Sequence, residues 1–424
     1  MAQVVVIGAG LGGLPAAYEL RHYLGKAHQV TLVSESPQFT FIPGLVQVGL
    51  GHIPLHRVQI DLEMLTNYHD LGWVQGKVKS IDPDQRRIFT ADRVLDYDYL
   101  VIASGAELAS HVIPGLGVYP HSVCNPAHAL AARDAWAKFC ANPGDLVVGA
   151  APGAGCFGPA YEFVLLAEAD LRRRGIRDRV NITYLTPEPY IGHLGITQVN
   201  HAQTLTENLM AKRGIHTVTN AEITEISPDR VYLADGQSFN FAYSMVLPSF
   251  RGAEFVRVSG LGNDKGFLPV LPTLRHQQYQ EIYGVGVSAH FDQPDKTLIP
   301  IGLPKSGQMA EAMAMVAAQN IAVELGVLNQ PLSIPTLEAI CFAEYGDTGI
   351  AYIAAPILPD PTTGKRRYSY AIEGVWVNWA KAAFEYYFLA KMRLGLGLPW
   401  FEKIGLRLLF GLSLSRSIGE PISV

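Results

Sequence analysis

The sequence predicts an α/β protein of two tandem strand–turn–helix units followed by a C-terminal region of amphipathic helices. Three observations carry that expectation. The β-branched run Val4-Val5-Val6-Ile7 stops at Gly8-Ala9-Gly10-Leu11-Gly12-Gly13 and continues as a helix. A second apolar run, Leu146-Val147-Val148, stops at Gly149-Ala150-Ala151-Pro152-Gly153-Ala154-Gly155-Cys156 and does the same. From Gly374 onward, aromatic, aliphatic and basic residues recur over two helix-length stretches.

In the first unit, Leu14, Ala16, Ala17, Leu20 and Leu24 follow helical spacing, and a strand from Val30 to Val33 leads to Glu35. Gly8 permits the tight turn, Gly10 lets a diphosphate approach the backbone, and Gly13, after Gly12, brings helix and strand close together. The free amides and dipole at the helix start favour an anion there, and Glu35 is placed to accept hydrogen bonds from an adenosine ribose. Strand, glycines, helix and acid together point to a bound dinucleotide.

Phe39 to Gly51, with Pro43, Gly44, Gly49 and Gly51, reads as a loop able to follow a flavin ring. Strands are expected around Gly72 to Ile81, which carries the cofactor candidate Val78, and around Arg87 to Phe89. The segment Leu95 to Ile102 then closes on Ala103-Ser104-Gly105. A buried strand ending on a small residue and a glycine resembles the exit from the FAD domain in two-dinucleotide-binding flavoproteins. That resemblance implies FAD, with Ser104 and Gly105 among its contacts.

The second unit departs from the dinucleotide pattern. Pro152 enters the turn, the G-x-G-x-x-G order is lost, Cys156 stands at the helix entrance, and the strand Val180 to Leu185 ends in Thr186-Pro187 rather than an acid. The expectation is a dinucleotide fold that has lost its dinucleotide, with a helix from about Pro159 to Arg174. Ile282-Tyr283-Gly284-Val285-Gly286-Val287 resembles the last FAD-domain strand, although Val287 stands where most relatives carry an aspartate. Gly302-Leu303-Pro304-Lys305-Ser306-Gly307 opens a helix from Gln308 to Leu325, and Lys305 is a candidate for the flavin's pyrimidine edge, where a cation stabilises charge that develops on reduction. The expected divisions are residues 1–110 and 245–325 for the FAD domain, 111–244 for the second Rossmann-like domain, and 326–424 for the C-terminal region.

A net charge of −5 with no basic stripe argues against nucleic acid as a partner. The start, Met-Ala-Gln and then the first strand, leaves no room for a secretory leader, so a cytoplasmic location is expected. None of the four cysteines forms a C-x-x-C pair, so no metal site is expected and the thiols are catalytic or free.

Cys140, on a helix around Ala131 to Phe139, reads as inert. Cys124, Cys156 and Cys341 lie in three separate segments. Cys156 is expected to be a low-pKa thiol because of the helix N-terminus, and Cys341 to sit just ahead of a strand. Residues 149–163, the run Thr186-Pro187-Glu188-Pro189-Tyr190-Ile191-Gly192-His193-Leu194-Gly195, residues 302–307 and the Cys341 segment together resemble the sulfide:quinone oxidoreductases over essentially the whole chain. The resemblance implies two Rossmann-like domains of the glutathione-reductase type, a Cys156–Cys341 redox pair, Cys124 as the family's third cysteine, and Glu162, His128 and His193 as proton-handling candidates. Cys124 either shuttles sulfur or holds FAD covalently; the residues leave both open.

The C-terminal helices, expected over Gly374 to Arg393 and Pro399 to Ser417, carry six cations against two acids and many aromatics. Neither offers about twenty uninterrupted apolar residues, so a helix lying in the bilayer interface is expected rather than a span. That makes the chain a peripheral, monotopic protein on the cytoplasmic face of the membrane, with Phe342 and Phe384, by resemblance, flanking a membrane quinone. A dimer or trimer is compatible with this layout. The rival readings are a flavoprotein subunit donating to cytochrome c, a type II NADH:quinone dehydrogenase, and a non-catalytic flavin sensor.

Overall fold

The computed structural model describes residues 1–293, 296–360 and 363–419. In chain order the elements that position the site are β1 (Gln3–Ile7), α1 (Gly13–Leu24), β2 (Gln29–Ser34), β3 (Gly72–Gln75), β4 (Tyr99–Ile102), α2 (Pro126–Ala141), β5 (Leu146–Ala150), α3 (Gly158–Arg173), β6 (Ile182–Leu185), β7 (Ile215–Val218), β8 (Tyr243–Leu247) and β9 (Ile282–Gly284). They are followed by α4 (Gly307–Glu324), β10 (Ala339–Glu344), β11 (Gly349–Ala355), β12 (Tyr368–Glu373), α5 (Trp376–Arg393) and α6 (Trp400–Phe410).

Two parallel sheets form the frame, in orders β9-β4-β1-β2-β3 and β7-β6-β5-β8. Their strands are apolar runs because both faces are covered. In β1, Val4 to Ile7 are all buried, and every residue of β5 is buried. β9 pairs with β4, so the chain does return to the first sheet after completing the second. β8 pairs with β5 through Leu247, so the second sheet runs past the division expected at residue 244.

α4 packs on α1, and its run of alanines lets the two helices approach closely. A single apolar core joins both sheets to the C-terminal part, with Val4, Leu146, Met313 and Phe388 among its members. Beyond it, β10, β11 and β12 form an antiparallel sheet that α5 covers.

Several local expectations change. The stretch Gly72 to Ile81 is two strands, because Val78–Asp82 leaves the first sheet to pair with Arg87–Thr90. Val78 is buried in a side cluster with Val5, Ile7 and Tyr97. Cys341 lies within β10, opposite Tyr352, rather than ahead of it. The last helix stops at Phe410, where Gly411 takes a left-handed conformation (φ 63°) and ends it; Ser415–Ser417 pairs as a strand with Ser333–Pro335 instead. The end of the expected C-terminal region, 420–424, lies outside the described residues.

Candidate functional site

The first glycine turn is built by close approach. Gly8 has φ +98°, and a Cβ there would come within 2.4 Å of the Ala103 carbonyl oxygen, while one on Gly13 would meet the Gly8 carbonyl. Gly10 differs: nothing of the protein lies within 4 Å of its Cβ position. No side chain caps α1 at Gly12, which leaves the helix start without a side-chain acceptor. Glu35 is exposed just beyond β2.

Around this turn lie polar atoms that the protein itself leaves unsatisfied. Ser104 Oγ and Gln308 Nε2 are buried without a hydrogen-bond partner among the described residues. Lys305 is enclosed between the rings of Phe267 and Phe291, at 5.7 and 5.6 Å from their centroids, and no described acid pairs with it. Burial pulls its amine down to about 8. Gly105 is tied through its N–H to Ser288 Oγ at 3.0 Å, Gly286 has φ +67°, and Pro43 is half-buried in a short 3-10 turn. A polar, anionic cofactor fits this set: room at Gly10, an orphaned hydroxyl and amide, and a half-buried cation with no described acid beside it.

The second turn is filled. Gly153 donates its N–H to the Pro300 carbonyl at 2.6 Å, and Gly302 donates to Ala154 at 2.9 Å. A Cβ on Gly302 would meet the Gly155 Cα at 2.7 Å, so the two loops lie backbone to backbone.

Just past this turn three thiols converge. Cys156 precedes α3, α3 packs on β10, and β10 carries Cys341. The charge of Cys156 is felt at both Cys341 and Cys124. All are free thiols. Burial pushes the Cys124 thiol up to about 11, with the hydrogen bond from Ser122 opposing. The expectation of a low-pKa Cys156 is overturned. The Gly158 amide does bond its sulfur and favour the thiolate, as a helix start should, but burial outweighs it and holds the thiol above its ordinary value. Cys341 is exposed as a residue, yet its thiol lies in a recess walled by protein; that desolvation, then Cys156 and Glu162, push it up to about 12 against the pull of Lys381.

Glu162 is buried and paired with Lys381 of α5. Burial raises its carboxyl to about 7, with Lys381 opposing. Lys381 was therefore not a membrane-facing cation, and neither is Lys391, which is buried between Glu311 and Glu402. His128 sits in the first turn of α2, its Nδ1 2.6 Å from Ser122 Oγ, and burial lowers its pKa. His193 is fully buried in the 186–195 loop, where its Nδ1 accepts the Gly195 N–H at 3.2 Å.

Phe342 and Phe384 occupy two different aromatic groups. Phe342 meets Trp376 and Phe410 edge-on at 6.3 and 6.2 Å, whereas Phe384 lies among Phe41 and Phe388 at 6.4 and 5.9 Å. α6 has no buried residue at all. With Trp379, Tyr386, Trp400, Leu408 and Leu409, each more than 70% exposed, it makes a broad apolar surface. No helix among the described residues is long and apolar enough to cross a membrane.

Lys381, Gln308 and Glu188 belong to this site without having been singled out from the sequence. Glu162 and Lys381 are 219 residues apart, so no local spacing could have paired them. Glu188 did stand inside a quoted motif.

The pyridine nucleotide-disulphide oxidoreductase family model matches residues 2–286. The chain is 36% identical over 409 residues to a sulfide-quinone reductase of Aquifex aeolicus, covering 94% of this chain and 93% of that protein. The X-ray structure of the sulfide:quinone oxidoreductase from the same bacterium superposes with a TM-score of 0.94 at 35% identity, over 99% of this chain and 98% of that one. A type II NADH:quinone oxidoreductase of Staphylococcus aureus is more distant, at 24% identity over 75% of this chain and 81% of its own.

Proposed function

The chain belongs to the pyridine nucleotide-disulphide oxidoreductases and, among them, to the sulfide:quinone oxidoreductases, and from that premise we propose that it oxidises sulfide through Cys156 and Cys341 and passes two electrons by way of FAD to a membrane quinone. The observation that carries this reading is the meeting of two thiols, drawn from segments 185 residues apart in sequence numbering from 156 to 341, beside a buried carboxyl held near neutrality.

In the oxidised enzyme the two sulfurs form a disulfide. HS⁻ attacks it; one cysteine keeps the new sulfur as a persulfide, the other leaves as a thiolate, and the sulfide proton passes to Glu162, whose carboxyl near 7 both accepts and releases it. Lys381 holds Glu162 in place and offsets the negative charge that gathers on Cys341. FAD, when bound, supplies the two-electron acceptor and hands the electrons on to quinone. Losing those electrons, persulfide and thiolate close over the added sulfur as a trisulfide bridge, so each turnover lengthens the chain until it leaves as polysulfide.

The residues assigned to FAD are Gly8, Gly10, Gly12 and Gly13 at the diphosphate, Glu35 at the ribose, and Pro43, Ser104, Gly105, Gly286, Gly302 and Lys305 along the flavin half, with Val78 a contact through its backbone alone because its side chain is in the core. His128 and Cys124 form a second proton and sulfur station, and His193 serves the loop facing Cys156. Phe342 and Phe384 bracket the quinone, which enters beneath the apolar surface of α5 and α6; that surface seats the protein as a monotopic guest on the cytoplasmic leaflet. The NADH-dehydrogenase reading is disfavoured by the second turn, where Pro300 and Gly302 occupy the ground a nicotinamide dinucleotide needs.

The test is an anaerobic titration of the flavin-loaded protein. Sulfide should bleach the flavin and a short-chain quinone should restore its colour, while NADH leaves it oxidised. Bleaching by NADH without bleaching by sulfide rejects the reading.

A further inference from the structure

Glu188 has no role in the chemistry above, yet it is fully buried and, among the described residues, no cation pairs with it. A carboxylate in that position is tolerated only where donors replace its water. Three do. Tyr161 and Thr186 donate their hydroxyls to Oε2 at 2.8 and 2.6 Å, and Leu194 donates its backbone N–H to Oε1 at 2.5 Å. Tyr161, on α3 one turn past Cys156, also accepts the Gly192 N–H at 2.9 Å.

The segment so held is an improbable one. Gly192 (φ +84°), Leu194 (φ +56°) and Gly195 (φ +77°) all take left-handed conformations around His193, and for Leu194 that is a strained choice. A Cβ on Gly195 would meet the Gly302 carbonyl at 2.7 Å, so the turn is pressed against the very loop that fills the second glycine turn. The two glycines suit this path, whereas Leu194 does not, and the bond from its N–H to Glu188 is what holds it there.

We propose that Glu188 is a positioning residue of the sulfur site: its carboxylate fastens the 192–195 turn that presents His193 and, through Tyr161, locks that turn to the helix following Cys156. Its charge also reaches the thiol, since ionised Glu188 disfavours the Cys156 thiolate. The other titratable groups facing it are Tyr161, Tyr184 and Tyr352, from α3, β6 and β11. Burial holds all three protonated and raises the Glu188 carboxyl itself to about 7, so Glu188 is the group of this pocket that ionises around neutrality and is charged where the thiol titrates.

The inference rests on the functional reading above for its rate measurement, and a second readout frees it from that dependence. Flavin-loaded E188Q should be reduced by dithionite and reoxidised by a short-chain quinone as the unaltered protein is, but sulfide should bleach it about 10- to 100-fold more slowly. Adding His193→Ala to E188Q should cost little beyond the larger single effect, because the two act as one unit; additive losses overturn the proposal. Independently of sulfide, the pH midpoint for iodoacetamide alkylation of Cys156, followed by peptide mass mapping, should fall in E188Q, since a negative charge beside the thiol is gone. A midpoint left in place overturns the electrostatic half. If sulfide fails to bleach even the unaltered protein, the functional reading falls while the alkylation midpoint still judges Glu188. Should E188Q not fold, Tyr161→Phe keeps the carboxylate with its Thr186 and Leu194 donors and removes the one hydroxyl that bonds both Oε2 and the Gly192 N–H; it should slow the same step by a smaller factor, and an unchanged rate overturns the proposal.

Discussion

The two glycine turns of this protein share one architecture and differ in what occupies their mouths. No side chain caps either helix, but after β1 Gly10 faces open space, whereas after β5 the Gly153 amide is already bonded to Pro300 and Gly302 lies against Gly155. The lesson is that a strand–turn–helix unit offers either free amides or a rigid perch. The first turn keeps its amides for an anion. The second has given its Gly153 amide to another stretch of the chain, and Cys156 stands just ahead of the helix it still starts.

Four sets of substitutions put that contrast at risk. The largest effect is expected at the perch: Cys156→Ala and Cys341→Ala should each slow sulfide-driven bleaching by about a thousandfold or more while the flavin stays bound, as stopped-flow absorbance would reveal. Next come the glycines. Gly10→Val should fold with normal urea stability and yet fail to retain FAD, because its Cβ meets no protein atom. Gly8→Val should lose about 3 kcal/mol of stability through its clash with Ala103. If both merely destabilise, the open mouth is not a binding site. A smaller effect is expected at Lys381→Met. Burial already holds Glu162 near 7 with Lys381 opposing, so removing the cation moves the carboxyl further up, and the acidic limb of the sulfide reaction should shift to higher pH by about one unit or more. A shift to lower pH would contradict the pairing. Smallest of all, Leu408→Gln with Leu409→Gln should leave stability untouched, since both side chains are exposed, while weakening co-sedimentation with phospholipid vesicles about tenfold.

What the sequence disclosed and what it hid follow from the range of the forces involved. The two parallel units, the first glycine turn and the return of residues 282–284 to the first sheet are written in short periodic runs, and they are legible because strand and helix patterning is local. The elevated thiol of Cys156 was not legible. Its helix start was visible and its Gly158 bond is there, but the burial that reverses the shift comes from tertiary packing that no local run reveals. The same holds for Lys381 and Lys391. As members of a cationic stretch they look like headgroup contacts; only the placement of Glu162, Glu311 and Glu402 shows them to be internal ion pairs. The overlong final helix was a matter of overextending an apolar period past Gly411, whose left-handed conformation stops it. At Val78 the expected single strand Gly72 to Ile81 gives way to a second one, because the chain turns into another sheet there through pairing with a segment ahead of it.

The helix α6 has no fully buried residue, but it is not loose. Near its start, Glu402 receives Tyr387 and Lys391 at 2.7 and 2.8 Å. At its other end Tyr368 holds the Phe410 carbonyl, Arg367 the Gly411 carbonyl and Glu338 the Ser413 amide. An apolar blade clamped at hilt and tip has surrendered its conformational freedom during folding, so whatever greasy surface it meets is engaged without a further ordering penalty. Its angle to the body is fixed as well, which dictates how the rest of the molecule must stand above that surface.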